Sequence, residues 1–220
     1  MSDTLLDYRL KFEPIVQLDN DALYGYEVLS HLPEIGNVDG WFRQQTPEKL
    51  LQCFRNQAQN LTFPKPQHRF FLNLPINVLL CTTLFMELLA LCRPNLMIEI
   101  QDAQAFFRLG GAEQRRVQRN IARLEYTGTA IWLDDLNEES IIAFASAEWR
   151  VSGVKLDKNA FWQLSRTPER LRRILRHARQ FANGILVEGI ETAAQRDIAR
   201  LAGAQFGQGF LWPARFASQE

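Results

Sequence analysis

Ile131-Trp132-Leu133-Asp134-Asp135 is an apolar run closed by two adjacent acids. The apolar part has the length and composition of a buried strand. Two carboxylates side by side at a strand end repel each other, and a bound cation is the usual remedy. The alternative use is the start of a helix, since Asn137, Glu138 and Glu139 follow. What separates the two uses is whether other strand ends also carry polar groups.

Upstream, residues 8–18 and 23–29 read as strands joined by the turn Asp19-Asn20-Asp21. Residues 31–47 hold Pro33, Gly36, Gly40 and Pro47 and read as a long loop. Pro47 opens a helix to about residue 61, which Phe63-Pro64-Lys65-Pro66 breaks. Strands at 69–74, 96–100, 130–134, 153–156, 185–187 and 205–210 then alternate with helices. Those helices are expected at 75–91, 113–126, 138–147, 167–182, stopped by Asn183-Gly184, and 192–202. This alternation predicts an α/β fold, a (β/α)8 barrel of the TIM type in one domain spanning 1–220, with an open doubly wound sheet as the alternative. No glycine-rich nucleotide loop follows an early strand, which weighs against the open sheet.

In such a barrel the C-terminal strand ends face one site. The polar residues there are Glu27, Asn73, Glu99, Asp134, Asp135, Lys155, Glu188 and Gln208. Each has a local use: Asn73 as a turn or cap, Glu99 near a helix start, Lys155 in a pair with Asp157. Their joint placement on successive strands is what those uses leave unexplained. Oxygen ligands suit Mg²⁺ or Mn²⁺, and His31, His68 and His177 are too scattered for a zinc motif. Two such ions with shared carboxylates fit phosphodiester hydrolysis, with Lys155 neutralising charge and orienting a water or phosphate.

Composition excludes little. The net charge is zero, which argues against bulk attraction to nucleic acid or a membrane. Three scattered cysteines, Cys53, Cys81 and Cys92, suit a reducing cytosol. Residues 1–12 lack the pattern of a signal peptide, and polar residues interrupt the apolar stretch 74–92, so a cytoplasmic protein is expected.

From 12–15 to 208–210 these residues, in this order, resemble the EAL domain family, which hydrolyses cyclic di-GMP to linear pGpG. Glu27-Val28-Leu29 stands for Glu-Ala-Leu, Glu99-Ile100-Gln101-Asp102 for Glu-Leu-Thr-Glu and Asp134-Asp135-Leu136 for Asp-Asp-Phe. Lys155-Leu156-Asp157 matches Lys-Ile-Asp, and Glu188-Gly189-Ile190-Glu191 matches Glu-Gly-Val-Glu. The resemblance implies a barrel whose first strand is antiparallel, shortened here at the C-terminus, with two metal ions. Glu27, Asn73, Glu99 and Asp134 would hold one and Asp134 with Asp135 the other. Lys155 and Glu188 would position the attacking water, and Gln208 would complete the shell. The substrate would meet Leu29, His31, Gln208 and Glu13.

Some positions depart from the family. Leu136-Asn137-Glu138-Glu139 replaces its glycine-rich loop, which links metal, substrate and dimerisation. The glutamate anchoring that loop is Asp102, the phosphate-binding arginine is His31, and a first-strand glutamine is Glu13. Two readings follow: a cyclic di-GMP phosphodiesterase, weak in turnover, that controls motility and biofilm or fimbriae, or an inactive regulator acting by contact with a protein such as a flagellar transcription regulator. A non-catalytic receptor for the dinucleotide is a third. A homodimer through the loop after Asp135 is compatible with all of them. The arginines from Arg170 to Arg179 suit a solvated outer helix or the docking of an acidic protein better than nucleic acid.

Overall fold

The computed structural model describes residues 9–31, 38–61, 68–147 and 149–216. The chain opens with a hairpin of β1 (Arg9–Gln17) and β2 (Leu23–His31). A short helix α1 (Val38–Arg43) precedes α2 (Pro47–Gln59). Then follow β3 (Arg69–Leu74), α3 (Thr82–Leu91), β4 (Leu96–Ile100), α4 (Gly111–Tyr126), β5 (Ala130–Leu136) and α5 (Glu138–Ser146). The second half contains β6 (Val151–Leu156), α6 (Lys158–Leu164), α7 (Pro168–Ala178), β7 (Ala182–Val187), α8 (Ala193–Ala202), β8 (Phe206–Gly207) and β9 (Arg215–Phe216).

Strands β2 to β8 pair in sequence order and in parallel, and β1 lies antiparallel against both β8 and β2, which closes the ring. An open sheet is thereby excluded. The short β9 pairs with Lys11 and Phe12 of β1, beyond the point where β8 leaves it. Among the described residues no helix is long and apolar enough to cross a membrane.

Alternation along each strand sorts the side chains. On β5, Ile131 and Leu133 join the large cluster under the helices, and Trp132 turns into the barrel. There it packs with Ile15, Phe71, Met97 and Leu186. The indole fills the barrel only because β6 and β7 present glycines to it. A Cβ on Gly153 would lie 2.5 Å from the Trp132 ring, and one on Gly184 2.7 Å.

Several local expectations are corrected by this packing. Asn183-Gly184 lies inside β7 rather than stopping a helix, because α7 ends at Ala178 and Gly184 is needed beside Trp132. The loop expected over 31–47 contains α1. The helix expected from Pro75 is a 3-10 turn, Ile76–Leu79, followed by a separate α3. The sequence pattern does not show helix α6 or β9, and β8, in place of the strand expected over 205–210, is two residues long. The Phe63-Pro64-Lys65-Pro66 break lies outside the described residues.

Candidate functional site

Two residues beyond the apolar layer, the same inward-facing positions become polar. Phe71 is followed by Asn73, Met97 by Glu99, Trp132 by Asp134, Gly153 by Lys155, Leu186 by Glu188 and Phe206 by Gln208. A single period-2 rule therefore places six polar side chains in one ring at the barrel mouth. Glu27 of β2 joins them, and Glu13 of the antiparallel β1 stands opposite it in the register.

Lys155 is the centre of the ring. Its side chain is 1% exposed, and its Nζ lies 2.8 Å from Glu188, 3.1 Å from Glu27 and Asp134, and 3.2 Å from Glu99. Burial alone would lower the lysine pKa, but the four carboxylates together raise it well above its ordinary value. One cation among four acids leaves the floor of the cleft electronegative.

The acids respond differently to that shared environment. Burial pushes Glu27 up, but Lys155 and amide donors outweigh it and hold its pKa below the usual value. Those donors are Gln208 at 2.7 Å and Asn73 at 3.0 Å. Burial dominates at Glu99, which is raised well above the carboxylate range with Glu27, Asp134 and Glu188 adding repulsion. Asp134 is pushed up to about 6 and Glu188 to about 8, again mainly by burial and against the pull of Lys155.

Ligand atoms of Glu27, Glu99 and Asp134 lie within 4.8 Å of one another, and so do those of Asp134, Asp135 and Glu188. Asp134 belongs to both groups. Asn73 and Gln208 turn their amide NH2 groups to Glu27, and among the described residues Asn73 Oδ1 and Gln208 Oε1 have no hydrogen-bond partner. Glu99 Oε2, at a residue with 0% exposure, likewise has no partner among the described residues. Buried oxygens without donors are what a hard cation would satisfy, so this donor set fits Mg²⁺ or Mn²⁺.

Asp135 is exposed and adopts φ +55°, in the left-handed region. The β5–β6 ladder is irregular between Leu133 and Leu136, so Asp135 does not continue the alternation. This kink brings its carboxylate onto the same side as Asp134. The whole mouth opens into a cleft of about 810 Å³.

A family model described as EAL domain matches residues 6–214. The chain belongs to this family. Over 226 aligned residues the EAL chain is 23% identical to the "Cyclic di-GMP phosphodiesterase TpdA" of Vibrio parahaemolyticus, an alignment covering 96% of this chain and 37% of that protein. Its fold is similar to that of a manganese/cy-diGMP complex of Klebsiella pneumoniae BlrP1, with TM-score 0.76 and 17% identity, over 97% of this chain and 57% of that one. An EAL domain protein from Listeria monocytogenes gives 0.70 and 19% over 94% and 88%. The chain thus spans well under half the length of the curated relative.

Against the EAL pattern, the junction after Asp135 is tight. Strand β5 ends at Leu136, Asn137 caps the next helix by accepting from Ser140 N at 2.9 Å, and α5 begins at Glu138. Arg170 of α7 grips Glu138 through two guanidinium nitrogens. Asp102 uses its Oδ1 to accept from Ile76 N at 2.7 Å and so holds the turn after β3. Gln104 donates to the Asp135 carbonyl at 3.4 Å. Nothing in the sequence pattern singles out Gln104, because it lies in a six-residue 3-10 helix, Ala103–Arg108, too short for its period to register.

The other candidates line the cleft. Leu29 and His31 stand on its β2 wall, and Glu13 accepts from Gln208 at 3.0 Å while Lys11 pairs with it. The His31 ring packs edge-on against Phe216 of β9, with centroids 5.4 Å apart. That contact, and the cleft-facing Trp162 of α6, were not legible beforehand.

Proposed function

We propose that this EAL domain is a phosphodiesterase that hydrolyses cyclic di-GMP to linear pGpG with two Mg²⁺ or Mn²⁺ ions. The observation that carries the reading is the pair of acid groups sharing Asp134 around Lys155. Glu27, Asn73, Glu99 and Asp134 would hold one ion, and Asp134 with Asp135 the other. When bound, the ions supply Lewis acidity to the phosphodiester and acidify the attacking water. Glu188, at the edge of the acid group it shares with Asp134 and Asp135, would accept the water proton on a side-chain oxygen. Lys155 holds Glu188 at 2.8 Å and so fixes the direction in which that proton leaves. Water attacks phosphorus, the bond to the 3′ oxygen breaks, and pGpG departs.

The expected outcome is conversion of cyclic di-GMP to pGpG by purified protein in Mn²⁺ or Mg²⁺, resolved chromatographically. Glu188→Gln keeps the shape of the side chain, removes the base, and should lose at least a hundredfold in turnover. No product from the wild-type protein at millimolar metal would overturn the reading. In a cell this activity would lower cyclic di-GMP and so affect motility and biofilm formation.

A second reading, a regulator acting by protein contact, draws support from the outer face of α7. Arg172, Arg173 and Arg176 are exposed there, and no ion pair is found for them among the described residues. An acidic surface on a transcription regulator would complement it. Under that reading Glu188→Gln leaves the cellular effect intact, and Arg172→Glu with Arg176→Glu removes it.

A further inference from the structure

The acids and Lys155 occupy the floor of the cleft, and its rim on the β6–β8 side is aromatic. Trp162 of α6 and Phe210, just after β8, both line the cleft. The indole is held in place, because Trp162 Nε1 donates to the Gly189 carbonyl at 2.8 Å. Gly189 has φ +72°, and a Cβ there would lie 2.5 Å from Lys158 Cβ, so the loop after Glu188 sits directly on α6.

That loop is also fastened on its other side. Ile190 N donates to the Gln208 carbonyl at 3.1 Å, and Leu211 N to the Ile190 carbonyl at 3.0 Å. Gly209, at φ +151°, approaches the Ile190 backbone so closely that any Cβ would collide with it. Phe210 is thus held outward on a pinned backbone and is 85% exposed.

Charge on the rim points the same way. Lys158 and Trp162 are four residues apart on α6, so they share one face, and both line the cleft. Lys11, which also lines the cleft, is paired with Glu13, and Lys155 beneath it is paired with four acids. Lys158 is exposed, and no ion pair is found for it among the described residues.

We infer that α6 supplies a nucleotide half-site, in which the Trp162 indole stacks on one guanine of the dinucleotide and the Lys158 ammonium pairs with the phosphate that is not being cut. This rests on the cyclic di-GMP reading of the cleft. A purine offers a π-face to a ring whose plane is already fixed by its N–H bond, so little ordering entropy opposes the contact. A compact ammonium four residues away suits the adjacent phosphate. Phe210 closes the same rim and shields the stacked base from water. Trp162 and Lys158 act in recognition, and the floor of the cleft acts in hydrolysis.

The experiment measures binding of a hydrolysis-resistant phosphorothioate analogue of cyclic di-GMP by anisotropy in Mn²⁺, with Mn²⁺ binding measured separately by calorimetry. Trp162→Ala should weaken the analogue about tenfold or more and leave Mn²⁺ binding unchanged. Trp162→Phe, which keeps a ring and loses the N–H, should stay within about threefold of wild type. Lys158→Gln should weaken binding and flatten its salt dependence, as the loss of one phosphate contact does. Wild-type affinity in Trp162→Ala overturns the half-site while leaving the phosphodiesterase reading in place. Equal losses in Trp162→Phe and Trp162→Ala overturn stacking in favour of a role in positioning Gly189. A wild-type protein that binds Mn²⁺ but not the analogue overturns both readings together.

Discussion

Replacing Lys155 by Met removes the one positive charge that the buried Glu27, Glu99 and Asp134 and the half-buried Glu188 share. At about 3 Å and an effective dielectric of about 20, each contact carries roughly 5 kcal/mol of gross attraction, most of it cancelled by the desolvation of the ions. The net loss expected on breaking such a buried cluster is about 3–5 kcal/mol. For a chain of this size that is a melting temperature lower by roughly 6–20 °C. The penalty has a pH signature. Lys155 stays protonated throughout the neutral range, so its contribution is constant there. Carboxylates whose folded pKa is raised favour the folded state at low pH, and that stability is lost as pH rises through the folded values. Asp134 at about 6 and Glu188 at about 8 already set this window in the wild-type protein. Without Lys155 these pKa values climb further, so the deficit should be larger at pH 8.5 than at pH 5. Added Mn²⁺ should narrow it by restoring positive charge. Thermal unfolding followed by circular dichroism at both pH values checks this. A variant melting within about 2 °C of wild type at pH 8.5, or a deficit larger at pH 5, would refute the account of Lys155 as the countercharge.

Three further outcomes are expected. Mn²⁺ affinity should rise from pH 6 to pH 8.5 with proton release on binding, because burial keeps protons on Asp134 and Glu188 that the cation must displace; calorimetry in buffers of different ionisation enthalpy reads this, and Asp134→Asn should abolish metal-dependent stabilisation. His31→Arg should tighten cyclic di-GMP binding severalfold by offering a phosphate two parallel N–H donors, and an unchanged calorimetric dissociation constant would mean that this position does not face the ligand. Gly153→Ala should cost about 1–3 kcal/mol, since the new methyl meets the Trp132 ring; Trp132→Leu in the same chain should recover part of it, and a fully stable Gly153→Ala protein would contradict the packing.

The site was more legible than the elements around it, and the reason is periodicity. Asn73, Glu99, Asp134, Lys155 and Glu188 each follow an apolar strand, and a period of two carries them all to one mouth once the barrel closes. Helix α6 escaped because its seven residues give too little periodicity to register, and its cap, Asp157, also reads as a strand end. Asn183-Gly184 misled because it has the local chemistry of a helix stop, whereas Gly184 answers to an indole on a strand two places away in the barrel. The partner of Asp102 was not legible either: an acid after β4 is plainly a backbone acceptor, but that its Oδ1 takes the N–H of Ile76 depends on which loop arrives beside it in three dimensions.

The unpartnered oxygens say most about what the ring is for. A barrel mouth needing only to be filled could place a serine or an amide where Glu99 stands, and the cost of burying an ionisable carboxyl there would vanish. Here Glu99 is fully buried, and its Oε2 has no hydrogen-bond donor among the described residues. Asn73 and Gln208 give their NH2 groups to Glu27, and their own carbonyl oxygens find no donor among the described residues. The donors of the ring are thus spent on one acid while bare oxygens remain around the others. Lys155 cannot satisfy them all, because its three N–H bonds already face four carboxylates. That imbalance follows if the ring is built for cations, and it has no source in the packing of the barrel alone.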